Sequence, residues 1–188
     1  MTLTRIMPTL RRSIPDPISP DRWPQATRAT VGDVEVGGIS LVRLADLCGT
    51  PAVHIAPASM PGSNDTVASP AMPVGVVVVR VVEASEDLGG QARTLTLDAD
   101  LGALDPVWSE ARLIGRASVA RAIRTALGGG SGHPTPATTA DLPADTASGD
   151  LIALPYAAVT DDAGVARPLS GWRGNRSTSS PVDGVAVR

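Results

Sequence analysis

Few side chains in this sequence carry chemistry, and their spacing limits what they can do. Asp98 and Asp100 stand two residues apart at the end of an alternating stretch in which Leu95 and Leu97 separate Thr94, Thr96 and Asp98. On a strand both carboxylates would project from one face. Two such acids can share a proton or hold a divalent cation, although solvent-facing strand residues explain the pair equally well. Arg112, Arg116, Arg121 and Arg124 form the densest basic cluster. They could meet an anion or an acidic partner surface, with a solvated face as the blander alternative. Trp172 and Arg173, with Arg176 close behind, would make an interaction patch if their loop is exposed. Cys48 falls beside Leu47 in the last turn of a short helical pattern and reads as a small, partly buried hydrophobe rather than a reactive thiol. His54, inside an apolar stretch, reads as structural, and His133, among glycines and prolines, as solvated. Residues 161–164 (DDAG) lack the alternating ligands and distal Glu of a calcium loop and read as a turn. The glycines at 128–130 lack the strand-then-helix context of a phosphate loop and read as linker. No catalytic, cofactor-binding or metal-ligating residue is assigned from these patterns.

Composition narrows the chemistry further. The chain has no lysine, so all 16 of its basic side chains are arginines. That excludes a Schiff base with a carbonyl substrate or with pyridoxal phosphate, and the lysine of a phosphate loop. One cysteine excludes an intramolecular disulfide and a cysteine-based zinc site, and two distant histidines give no metal-ligand spacing. A net charge of −3 gives no footprint for nucleic acid or an anionic membrane. No apolar run approaches the roughly 20 residues needed to span a bilayer. Prolines interrupt the arginine-bearing N-terminus and no apolar stretch follows, so no signal peptide is read there. The expectation is a soluble cytoplasmic protein.

These residues must be held by some framework, and breaker-rich stretches mark it out. Residues 1–22 read as an irregular N-terminal arm. One β-domain over 23–188 is then assembled from 23–57, 74–127 and 149–188, with mobile linkers at 58–73 and 128–148. Gly32-Asp33 suggests a tight hairpin. Ser40 suggests an N-cap, Leu41, Leu44 and Leu47 one helical face, and Gly49 the residue that ends the helix. Residues 52–56 suggest a short strand. Residues 74–82 are an almost continuous β-branched run, which predicts a strand covered on both faces. Residues 150–154 predict a second buried strand and 185–187 a closing one. Residues 111–127 are ambiguous: their start suits a strand, whereas Val119, Ile123 and Leu127 have helical spacing. With only four aromatic side chains and no Phe, the core must be aliphatic. The expected fold is mostly β, a small β-barrel or sandwich with one or two short helices.

Two separated parts of this sequence resemble one family. Residues 23–54 (WPQATRATVGDVEVGGISLVRLADLCGTPAVH) resemble the N-terminal segment of diaminopimelate decarboxylases, with Val36, Gly38, Ile39, Leu41, Leu44, Gly49, Thr50 and Pro51 as the matching positions. Residues 76–102 resemble a strand pair of that family's C-terminal β-domain, 149–155 (GDLIALP) the strand before its tyrosine, and 182–188 (VDGVAVR) its closing strand. The resemblance covers about half of the chain, in the family's order. It implies a place near lysine biosynthesis and a pyridoxal-enzyme architecture in which a β-domain built from both chain ends flanks a (β/α)₈ barrel. Such a barrel needs roughly 250 residues, and here only 58–73 separates the two β-domain parts.

The departures concern catalysis. No cysteine follows Cys48, so the family's Cys-Glu-Ser-Asp motif is missing. Tyr156 is displaced from the family's Gly-Ala-Tyr position, and Asp98-Ala99-Asp100 stands where the family has Asp-Gly-Gly. What the resemblance implies is a non-catalytic, stand-alone β-domain without a cofactor that pairs with itself or with a full-length decarboxylase. The alternatives are a small enzyme or metal-binding protein using Asp98 and Asp100, or a degenerate decarboxylase copy without activity of its own.

Overall fold

Strand β1 (Thr27–Thr30) turns at Gly32, whose φ is +81°, into β2 (Asp33–Val36). A short β3 (Ile39–Ser40) completes a three-stranded antiparallel sheet. The first helix, α1 (Leu3–Ile6), belongs to the N-terminal arm; α2 (Leu41–Cys48) follows β3 at once, its N-cap Ser40 accepting a hydrogen bond from the Arg43 N–H at 3.1 Å. Gly49 ends it at φ +74°, in the left-handed region that glycine enters most easily. The hairpin, the cap and the helix end are as expected, but the buried face is not. Leu41 and Ala45 are buried, Val42 and Leu44 pack partly, and Leu47 is 76% exposed. The i, i+4 pair faces the sheet, and the Leu41–Leu44–Leu47 row has drifted around the helix by its last member. Cys48 is exposed, which corrects the half-buried reading.

The structure, a computed structural model, describes residues 2–59, 68–86, 93–129, 138–160 and 166–167. Its principal sheet contains β4 (Ala52–Ser59), β5 (Ala68–Glu86), β6 (Arg93–Leu97), β7 (Arg112–Ile114), β8 (Ala122–Gly129), β9 (Thr139–Pro143) and β10 (Leu151–Ala157). The order is β7-β10-β5-β6-β8-β9, with β4 also paired to β5. All pairs are antiparallel except β6 with β8. The two end strands, β7 and β9, come back alongside one another, so the sheet nearly closes into a barrel. A two-stranded ribbon, β11 (Val159–Thr160) with β12 (Ala166–Arg167), forms a separate sheet whose β11 lies near β5. The fold is mostly β, as expected. Among the described residues no helix is long and apolar enough to cross a membrane.

Strand β5 explains why its sequence reads as an unbroken apolar run. Val77, Val79 and Val81 point into one core with Leu95, Leu97, Leu127, Leu142 and the β10 residues Ile152, Leu154 and Tyr156. Val76 and Val78 point the other way, into a second core with Trp23, Val36, Leu41, Ile114 and the β10 residues Leu151 and Ala153. Successive side chains alternate across a strand, so a strand between two cores must be apolar at every position. The register shifts between Val81 and Glu83, where Val82 is left exposed and β5 passes from pairing with β10 to pairing with β6. A bulge of this kind bends a strand, and here it turns the sheet toward closure.

Several expectations are corrected. The stretch 128–148 is not simply linker: β8 continues through Gly129, and β9 occupies 139–143 with Ala140 and Leu142 inward and Asp141 outward. Its period-2 pattern is short and ends in Pro143, a residue tolerated at a strand edge. In 58–73, Ala58 pairs with Ser69 and Ser59 with Ala68, so these residues extend the β4–β5 hairpin. Residues 111–127 contain no α-helix, only a 3₁₀ turn at Trp108–Glu110 just before them, then β7 and the start of β8. The strand expected at 185–187, the turn at 161–164, His133, and Trp172, Arg173 and Arg176 lie outside the described residues.

Tyr156 supplies a test of the barrel core. Its side chain is fully buried, and among the described residues its hydroxyl has no hydrogen-bond partner. Burial pushes its pKa up to about 12. The phenolate is therefore disfavoured in the folded chain, and stability must fall as pH rises above the unfolded value near 10. The full loss is about 2–3 kcal/mol once pH passes the folded pKa. The chain has no lysine and one tyrosine, so no other side chain has an ordinary pKa near 10. In Tyr156→Phe, urea unfolding between pH 9 and 12 is expected to lose this slope, with neutral-pH stability changed by less than about 1 kcal/mol because no bond is broken. A wild-type stability flat across that interval contradicts the burial of Tyr156.

Candidate functional site

Closure of the barrel stops short at the seam between β7 and β9, and the N-terminal arm lies across it. The arm carries α1 (Leu3–Ile6) and a 3₁₀ turn at Pro8–Arg12. Arg5 pairs with Asp141 of β9 at 2.6 Å. Arg11, nearly buried, pairs with Asp16 at 2.9 Å and donates to the Ala120 carbonyl at 2.8 Å. The Ser19 hydroxyl and the Trp23 indole N–H each donate to one oxygen of Glu110, at 2.6 and 3.0 Å. Arm and seam together enclose a groove of about 370 Å³, lined by Arg5, Arg11, Arg112, Arg116 and Arg124 among others.

Three of the four clustered arginines thus meet at one place, in different states. Arg112, on β7, donates to the carbonyls of Asp16, at 2.7 Å, and Pro17. Its guanidinium lies over the Trp23 ring, 6.0 Å from the centroid. Burial holds its pKa below the usual arginine range, against the opposing charges of Glu110 and Asp16. Arg112 is therefore a clamp that fixes the arm. Arg116 grips Asp150 with two parallel bonds of 2.8 Å, and reaches Asp145 Oδ2 at 3.1 Å and the Asp145 carbonyl at 2.7 Å. The bonds to Asp150 above all, followed by those to Asp145, raise its pKa. Burial pushes the Asp145 carboxyl upward, but the Ser118 hydroxyl at 2.5 Å and Arg116 together outweigh it and hold that carboxyl below the usual range. This cluster ties the loop after β7 to the loop before β10. Arg124, on β8, is exposed and donates from Nε to Thr139 Oγ1 at 3.2 Å. Arg121 is exposed and does not line the groove.

The carboxylate pair is not a pair. Strand β6 ends at Leu97, so Asp98 and Asp100 follow it in a loop and share no strand face. Asp98 accepts from the Arg80 N–H at 2.9 Å and from the Thr50 hydroxyl, bracing β5 and the residue before Pro51. Asp100 accepts from the Gly102 N–H at 2.9 Å, closing a local turn. Among the described residues no three His, Cys, Asp or Glu side chains are grouped as a metal site. His54 is half-buried on β4.

The sequence reading missed Arg5, Arg11 and Asp141 as groove residues. Arg5 and Arg11 stand more than 100 positions before β9, and only the fold brings them together. The one local signal for Asp141 was the apolar–polar alternation of residues 139–142. Compared with protein-family models and with curated proteins, the chain matches none.

Proposed function

We propose that this chain is a non-catalytic β-domain of the diaminopimelate decarboxylase type, acting by association with a second copy or with a full-length decarboxylase. One observation carries the reading. Strands β4 and β5, which the resemblance places on either side of a (β/α)₈ barrel, pair directly with each other from Ala52↔Val78 to Ser59↔Ala68. Only residues 60–67 connect them, far fewer than a barrel requires. The β-domain is thus closed at the point where a catalytic domain would be inserted. The absence of lysine agrees with this reading, because no internal aldimine can form.

Activity separates this reading from an enzyme. With pyridoxal phosphate the chain alone is expected to give no aldimine absorbance band and no turnover of diaminopimelate. Titrated into a full-length decarboxylase, it is expected to change that enzyme's rate until the two are stoichiometric. Turnover by the chain alone would overturn the reading.

A further inference from the structure

We propose that the outer end of the groove, between Arg5 of the arm and Arg124 of β8, binds a small oxyanion, a carboxylate or a phosphoryl group. Hydrogen-bonding capacity is unevenly used along the groove. Arg11 is committed to Asp16 and the Ala120 carbonyl, Arg112 to two carbonyls, and Arg116 to Asp145 and Asp150. Asp33 accepts from the Ser40 hydroxyl at 2.5 Å and from the N–H groups of Val34 and Val42. Glu110 is held by Ser19 and Trp23. Each charged group on the inner walls thus has at least one partner, and the Nε groups of Arg11 and Arg112, which make no hydrogen bond, are buried away from solvent.

Arg5 and Arg124 differ. Arg5 uses only Nη2, on Asp141, and Arg124 only Nε, on Thr139. Among the described residues, Nε and Nη1 of Arg5 and both terminal amines of Arg124 have no protein acceptor. Asp141 stands opposite Arg124 in the β8–β9 register but is ion-paired with Arg5, so two guanidinium groups flank one carboxylate. This corner of the groove carries one excess positive charge and spare planar donors. A carboxylate or phosphate matches that geometry, because a guanidinium presents parallel N–H groups to two oxygens. Both arginines are exposed, so the site is open to solvent and affinity is modest, with Kd on the order of 1 mM. The proposal concerns a ligand and stands whether or not the chain associates with a decarboxylase.

The test is an amide-shift titration by NMR at constant ionic strength, with inorganic phosphate in one arm and succinate in the other. Saturable shifts confined to β8, β9 and the arm are expected. Saturation by phosphate or by succinate identifies the phosphoryl or carboxylate class respectively. Arg124→Gln and Arg5→Gln should each weaken binding by about five-fold or more. Arg121→Gln, an exposed arginine outside the groove, should leave it unchanged. Absence of saturation by either anion, or binding that Arg124→Gln leaves intact, overturns the proposal.

Discussion

Replacing Gly129 by alanine is expected to destabilise the chain by about 3 kcal/mol, the upper part of the range for overpacking a well-packed site. Gly129 closes β8 and sits opposite Leu97 in the parallel β6–β8 pair. A β-carbon there would overlap the carbonyl of Ala99 and crowd the Asp100 N. Those are backbone atoms, so no rotamer change relieves the contact. The loop cannot move aside freely either, because Asp98 ties its first residue to Arg80 and Thr50. Gly102 is the control: it is exposed, and an added β-carbon meets only the Asp100 carboxylate, at 3.3 Å. Urea midpoints should separate the two variants clearly. Equal stability of Gly129→Ala and Gly102→Ala would refute the close approach of β8 to this loop.

Trp23→Ala should cost about 3–5 kcal/mol, as for other buried large aromatics. Trp23 is fully buried in the core that joins the small sheet, α2 and the outer faces of β5 and β10. Its indole N–H satisfies Glu110, and its ring carries the Arg112 guanidinium that holds the arm. Truncation therefore opens a cavity, leaves a Glu110 oxygen without its donor and removes the surface beneath Arg112. Trp23→Phe keeps most of the volume and should cost less, about 1–3 kcal/mol for the lost bond to a charged acceptor. Denaturant unfolding of both variants decides it. A loss below about 1 kcal/mol for Trp23→Ala would contradict the packing of this core.

Local chemistry made part of this fold legible from sequence. Ser40 and Gly49 bracket α2 because a hydroxyl acceptor and a left-handed residue do specific work at helix ends. The runs in β5 and β10 announce strands with apolar surroundings on both faces. Residues 111–127 are ambiguous in sequence for a geometric reason. Ile123 and Leu127 are four apart, which suits one face of a helix and equally one face of a strand, since four is a multiple of two. The arbiter was Thr125, buried between them on the same strand face, whose polarity hid the alternation. Strand β9 was obscured by the proline and threonine around it.

The groove was less legible still. The cluster of Arg112, Arg116 and Arg124 stood out, but spacing along the chain says nothing about partners. Asp16, whose carbonyl Arg112 holds, lies 96 positions away, and Asp150 lies 34 positions beyond Arg116. Long-range pairings of that kind decide which arginines become clamps and which keep donors to spare. Asp98 and Asp100 were misplaced by a strand end set three residues too far: β6 ends at Leu97, and beyond it the strand's alternation no longer governs where a side chain points.

Sedimentation velocity of the purified chain, alone and mixed with a full-length diaminopimelate decarboxylase, tests association most directly. A species heavier than the 19.1 kDa monomer is expected in at least one of the two samples. A single monomeric boundary for the chain in both, at concentrations up to about 100 μM where contacts of micromolar affinity are populated, would contradict it.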